Sequence, residues 1–441
     1  MAFDYVVKIT DYTAGTVTLT ASPWAIRDPD LHAADRDEAS VVNTLTVRLT
    51  DGSVSANLAE VRTLNGLLHQ AHRRGQGEKD LAAVYVVWQE SATGSEWRSE
   101  ILDGRAEWDA EALTWTYWQS ATQFADVVIE RRNHWDGPEA QLPLTNPNGV
   151  YNTAGLNVYN DNSGAGTYPN TIANYADILG SAIGGDLPGP VRLEITNTYA
   201  TARLYDVWVG VNQTNPSFTH YLAGPGAVTV ASGGTVTIKD WTLTGYELTL
   251  AAGREYRVLA RFGTDRGVVG GLLARFRLSI LWNVTTLWES GWVTPDTTRG
   301  SVVRDLGSLR LPPWIPGLTG LDGVTLRLSA LQTDVASMDI NLTWLQLVCA
   351  DAWRYITCVG YGVVQGRRIV DDGINERLYT DDGSGGAKAG ILTGGGSSAL
   401  TLQPGKNARL MFAMHANTLS TAELDRSISV KTYYRPRRLT L

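Results

Sequence analysis

Cysteine is scarce in this 441-residue chain, with only Cys349 and Cys358 present. That excludes a disulfide-stapled scaffold and a Cys-rich zinc domain. Histidine and phenylalanine are also sparse, at six each, and lysine occurs only at positions 8, 79, 239, 388, 406 and 431. No apolar run reaches the roughly 18 residues that a membrane-crossing helix needs. The net charge is −8 and the pI about 5.4, so no basic excess favours nucleic acid as a partner. The sequence contains no GxxxxGKS/T, HExxH, GxSxG or dinucleotide fingerprint, which removes the commonest enzyme readings. The opening residues, Tyr5-Val6-Val7-Lys8-Ile9-Thr10 among them, are polar and alternating and do not read as a signal peptide.

What is present is a folding composition: 43% hydrophobic and 19% charged residues, enough for a substantial core. Arginine far outnumbers lysine, and 15 tryptophans stand against 6 phenylalanines. Both Arg and Trp are enriched at contact surfaces. An arginine-biased genome gives the first ratio with no structural meaning.

Most of the chain alternates with period two. Examples are Thr16–Thr20, Thr44–Thr50, Val191–Ile195, Thr235–Ile238 and Arg275–Ile280. Thr, Val, Tyr and Trp in such runs predict half-buried strands, with Gly and Pro in the turns between them. One segment breaks the rule. From Asn57 to Arg74, apolar residues fall at Leu58, Val61, Leu64, Leu67, Leu68 and Ala71, a helical spacing. Asn57 is the expected N-cap with Glu60 three residues on, and Gly75 is the expected stop. Gly104–Trp108 and Leu113–Trp118 read as a hairpin joined by Asp109-Ala110-Glu111.

The fold expected is mainly β: an N-terminal β-sandwich with one flanking helix, followed by jelly-roll or sandwich-like β structure. Three segments are expected: 1–140, 141–360 and 361–441. The Pro- and Gly-rich passage Trp135–Gly149 reads as a linker or a long surface crossing between the first two. The third segment either stands alone or completes the second. No regular sequence repeat is visible.

No residue is singled out as catalytic. Glu130, Asp136 and Glu139 around Trp135 would suit a glycosidase if they converged, but hinge and interface groups that stay solvated or pair with Arg131 and Arg132 are the simpler expectation. Trp282, Trp288 and Trp292 are candidate glycan-facing aromatics, set against an ordinary place in a sandwich core. His69 and His72 sit three apart on the predicted helix, where a basic last turn explains them better than a metal. The doublets Asp371-Asp372-Gly373 and Asp381-Asp382-Gly383 offer oxygens for calcium, although Asp-Gly is first of all a turn signal. Cys349 and Cys358 read as two buried thiols. The Pro23–Ser40 stretch reads as a long loop. Within it Trp24, Arg27, Asp28, Asp30 and Arg36 are candidate contacts to a second copy of the chain.

The strand-rich first segment, its single helix, that loop and the closing phrase Ala125–Gly137 together resemble the tail-tube-like β-sandwich of tailed-phage and prophage virion proteins, including distal tail proteins. The resemblance covers about the first third of the chain. The β structure that follows resembles the galectin-like or carbohydrate-binding modules often appended to such proteins, and no sugar-binding residue carries over. The stretches from Leu402 to Asn407 and from Tyr433 to Arg438 fit a terminal strand pair of the same kind of protein. The resemblance implies a non-enzymatic virion protein, assembled in the host cytoplasm. It would form a ring or multimer through its first domain, with the later β domains facing outward. Its partners would be further copies, other tail proteins and a host-surface glycan. A carbohydrate-binding or carbohydrate-active protein is the first alternative, and a capsid decoration protein the second.

Overall fold

The computed structural model describes residues 5–27, 31, 39–49, 54–78, 80–108, 123–161, 167, 171–199, 203–213, 222–243, 253–262, 274–282, 284–294, 303–311, 324–333, 337–358, 362–381, 387–388, 392–396, 399–416 and 427–440. The chain divides into two compact units. Unit 1 comprises Met1–Glu139, Gly185–Pro188 and Arg435–Leu441; unit 2 comprises Ala140–Gly184 and Gly189–Tyr434. The protein is mainly β, as the alternation predicts.

Unit 1 contains β1 (Val6–Thr10), β2 (Thr16–Thr18), β3 (Trp24–Arg27), β4 (Ser40–Leu49), α1 (Val54–Gly75), β5 (Tyr85–Gln89), β6 (Trp97–Trp108), β7 (Gln123–Arg132) and β8 (Trp135–Asp136). Their order is β2-β1-β5-β6-β7-β4-β3, all neighbours antiparallel. Strand β6 pairs with β5 through its first residues and with β7 through the rest, and its register shifts between Ile101 and Asp103. A bulge at such a point bends the strand and lets one strand serve both halves of a folded sheet. Leu64, Leu67, Leu68 and Ala71 of α1 are buried in the core with Val7, Ile9, Leu45, Val127 and Ile129.

The apolar stripe of α1 is where the periodicity places it, but its start is not. The helix begins at Val54, so Asn57 lies inside it and is buried rather than capping it. Glu60 accepts a hydrogen bond from the Trp24 indole Nε1 at 2.9 Å instead of serving a cap. The stretch read as a loop from Pro23 also begins with a strand: Trp24 and Ile26 alternate into the core, and β3 pairs with β4. Four residues are too few for period two to stand out from a loop. Leu113–Trp118, the second arm of the predicted hairpin, lies outside the described residues.

Unit 2 is built on eight strands: Leu156–Tyr159, Tyr175–Ile178, Gly189–Asn197, Leu204–Asn212, Trp353–Thr357, Arg368–Asp372, Ala408–Ala416 and Ser427–Tyr434. One sheet contains the run first-eighth-third-sixth and the other the run second-seventh-fourth-fifth. That is the strand order of a jelly roll. Between its fourth and fifth strands the described residues of an insertion form eight more: Leu222–Val230, Thr235–Leu243, Glu255–Phe262, Ala274–Trp282, Thr285–Glu289, Val303–Arg310, Val324–Gln332 and Met338–Cys349. These repeat the same two orders in two four-stranded sheets. The sequence carries no visible repeat, yet the topology occurs twice, one jelly roll nested in the other.

Each roll has its own core. Phe276, Leu278, Ile280, Leu326, Leu328 and Ile340 are buried in the inserted roll. Val158, Leu193, Ile195, Val207, Ile356, Phe412 and Val430 are buried in the outer one. The stretch Trp135–Gly149 is built into short strands, Leu144–Asn146 and Gly149–Tyr151 among them, with Leu142 and Leu144 buried. The segment 361–441 supplies the sixth, seventh and eighth strands of the outer roll, and its strand Arg437–Arg438 belongs to unit 1.

Candidate functional site

The two rolls of unit 2 meet along a seam. Alternate residues of a strand face opposite sides of its sheet, so the inserted roll turns Leu259, Trp344 and Val348 away from its own core. They cluster with Trp208, Met411 and Ala413 of the outer roll. Gly210 permits this closeness: a Cβ there would lie 1.5 Å from Val348 Cγ1. At the rim of the seam the chain turns back through Ala350-Asp351-Ala352 into Trp353, and there a cleft of about 700 Å³ opens. A cleft of that size between packed modules is a common place for a small ligand.

Arg257 donates from Nε to Asp305 Oδ2 at 2.7 Å and holds its guanidinium 5.2 Å from the Trp353 ring centre. Lys406 Nζ donates to Gln403 Oε1 at 2.6 Å, and the Gln403 backbone N–H donates to Gln213 Oε1 at 2.8 Å. Arg254, Glu255, Ser308 and Asp351 complete the polar wall. Cys349 borders the cleft and donates its thiol to Asn212 Oδ1 at 2.8 Å. Burial, with the Asp351 charge nearby, pushes that thiol up to about 11, so it stays protonated and unreactive. Asn212 is buried, and its Nδ2 has no hydrogen-bond partner among the described residues.

Three cationic side chains, Arg254, Arg257 and Lys406, stand against the carboxylates of Glu255 and Asp351, with Asp305 already on Arg257. Charge is close to balanced, donors and acceptors are interleaved, and an indole forms part of the wall. Sequence reasoning passed over the cleft because its residues come from four distant stretches. The one available signal was Trp353 beside Asp351, between the two cysteines.

The residues singled out from sequence lie elsewhere. Trp24 is buried in the core of unit 1, and Arg27 is exposed at the end of β3. Asp28, Asp30 and Arg36 lie outside the described residues. Trp282 and Trp288 are half-buried and pack against the inserted roll's core, while Trp292 carries the Arg277 guanidinium 4.7 Å from its ring centre. Trp135 is fully buried with Arg131 4.5 Å over its ring, so it offers no platform to a sugar. Glu130 accepts from Ser40 Oγ at 2.5 Å, Asp136 from Arg437 Nε at 2.9 Å, and Glu139 lies 3.7 Å from Arg435.

Arginines also hold the carboxylates considered for calcium. Asp371 pairs with Arg354 at 2.6 Å, and Asp381 with Arg368 at 2.5 Å. Asp372 accepts from the backbone N–H groups of Ile374 and Asn375, the role of a turn residue, and Asp382 lies outside the described residues. His72 Nδ1 is 2.9 Å from Asp103 Oδ1, and His69 is exposed. Cys349 and Cys358 are free, buried thiols in separate cores.

No protein-family model and no curated protein matches the chain. Among solved structures, a chain of the phage P2 baseplate in its activated conformation with Ca is 10% identical, with a TM-score of 0.25, covering 75% of this chain and 98% of that one. The same baseplate with Sr gives 9% and 0.26, covering 78% and 96%. The infectious bursal disease virus VP2 subviral particle gives 9% and 0.20, covering 57% and 66%. TM-scores so far below 0.5 do not establish a shared fold.

Proposed function

We propose that this chain is a non-enzymatic structural protein of a tailed-phage virion, a tail or tail-tip component that assembles with further copies of itself through unit 1. The observation that carries the reading is the nesting of one jelly roll inside another in a chain that also has a separate β unit, with one helix among its described residues. Jelly rolls protect their sheet edges and recur as capsid and lectin domains. An insertion between the fourth and fifth strands adds a module without interrupting either sheet. The resemblance of the first segment to tail-tube-like sandwiches points the same way. Mass in solution by multi-angle light scattering tests it. A ring several times 47.9 kDa is expected, and a monomer at every concentration overturns it.

The cleft beside Trp353 favours one second reading, a carbohydrate-binding protein. A glycan array separates the two: a monomer that binds a neutral saccharide, and loses it in Trp353→Ala, supports the second. Hydrolysis of no glycan in a broad panel is expected in either case.

A further inference from the structure

Unit 1 is not continuous in sequence: residues 435–441 return to it after the whole of unit 2 has been made. Strand β8 meets β6 through a single residue pair, Arg98 opposite Asp136. Its other partner is the strand Arg437–Arg438, with Arg437 opposite Asp136 and Arg438 opposite Trp135. Side chains reinforce the pairing. Arg437 Nε donates to Asp136 Oδ1 at 2.9 Å, and the Arg438 guanidinium lies 4.4 Å over the Trp97 ring. The Gly137 N–H donates to Pro436 O at 2.8 Å, and Arg435 Nη1 donates to Gly137 O at 3.2 Å.

The segment is held from its other side as well. Asp186 N–H donates to Arg437 O at 2.7 Å. Two glycines make room for it. A Cβ on Gly137 would lie 2.8 Å from Pro436 Cγ, and one on Gly185, where φ is +102°, would lie 2.5 Å from Arg437 O. Without the segment, the Gly137 and Asp186 N–H groups lose their acceptors and Asp136 loses its guanidinium. The buried Trp135 loses the strand opposite it.

We propose that residues 435–438 are a latch: unit 1 closes around β8 only when this segment has docked, so the first unit of the chain matures after the second. Where unit 1 is the assembly unit, which rests on the reading above, the latch also delays assembly until that segment is in place. The order follows from connectivity, because residues 1–139 leave the ribosome first and wait for a strand encoded about 300 positions later.

Hydrogen exchange of the full-length chain, read by mass spectrometry, tests the latch together with light scattering. Arg437→Glu opposes Asp136 with a like charge, and Gly185→Val pushes on the same segment from its other side. Each is expected to raise exchange in β8 and the first half of β6 by about tenfold or more, leaving unit 2 unchanged. Arg437→Lys, which keeps the charge, is expected to stay within about threefold of the parent. Unchanged exchange in both disruptive variants overturns the latch, and so does a uniform rise across both units. A parent chain that runs as a monomer removes the assembly reading, and the exchange comparison then decides the latch by itself.

Discussion

The two jelly rolls share a strand order and are held together differently. The inserted roll draws its core from one continuous stretch, Val230 to Cys349, and its ion pairs among the described residues keep both side chains at least a quarter exposed. Arg327 and Asp240 meet at 2.8 Å with side chains 36% and 40% exposed. The outer roll has an ion pair buried on both sides. Arg354 and Asp371, from its two different sheets, meet at 2.6 Å with side chains only 7% exposed. Glu194 is buried between Arg192 and Arg368, and Arg368 reaches on to Asp381.

The difference follows from what each roll must accomplish. The insertion closes on residues near in sequence. The outer roll must close around the insertion, and contacts such as Asn160 Nδ2 to Met414 O span 254 positions. An apolar core specifies volume. A buried charge that finds a wrong partner costs several kcal/mol, so paired charges penalise misregistered closure more than they stabilise the correct one.

The comparison can be broken most forcefully at Arg354. Arg354→Ala leaves Asp371 buried with its charge unmatched, and should destabilise the outer roll by about 3–5 kcal/mol. Urea unfolding, with hydrogen exchange read separately in each roll, checks both the size and the location. In the inserted roll the corresponding weak point is apolar. Leu328→Ala, at a fully buried position, should cost about 2–5 kcal/mol and raise exchange first within Val230–Cys349.

The third effect is one of pH. Burial pushes the Asp371 carboxyl up to about 6, with Arg354 pulling it back down. Between the unfolded and folded values the native state keeps a proton that the unfolded chain has released. Outer-roll stability should therefore fall by about 1–3 kcal/mol as pH rises from about 4 to 6, while Asp371→Asn flattens that part of the profile. The smallest effect belongs to the inserted roll's surface: Arg327→Ala should shift its urea midpoint by the equivalent of only about 0–1 kcal/mol. A larger loss there would show that its exposed charges matter as the outer roll's buried ones do.

The local features were legible. Period two marked Arg275–Ile280 and Thr235–Ile238, parts of the strands Ala274–Trp282 and Thr235–Leu243, because alternate side chains of a strand must choose between core and water. The 3.6-residue period marked the buried stripe of α1 for the same reason. The start of α1 and the strand Trp24–Arg27 escaped. Each depends on a partner elsewhere, as when Glu60 takes the Trp24 indole rather than a helix N–H.

By itself, then, the sequence determined that this is a β protein with one amphipathic helix, a β-rich first segment and buried thiols. Each of those depends on a residue and its near neighbours. Tertiary structure alone decided that one roll sits inside another, that Arg254, Trp353 and Lys406 share a cleft, and that Arg437 lies against Asp136. Strand order and site geometry are set by which distant surfaces bury one another, and that choice belongs to the whole chain rather than to any window of it.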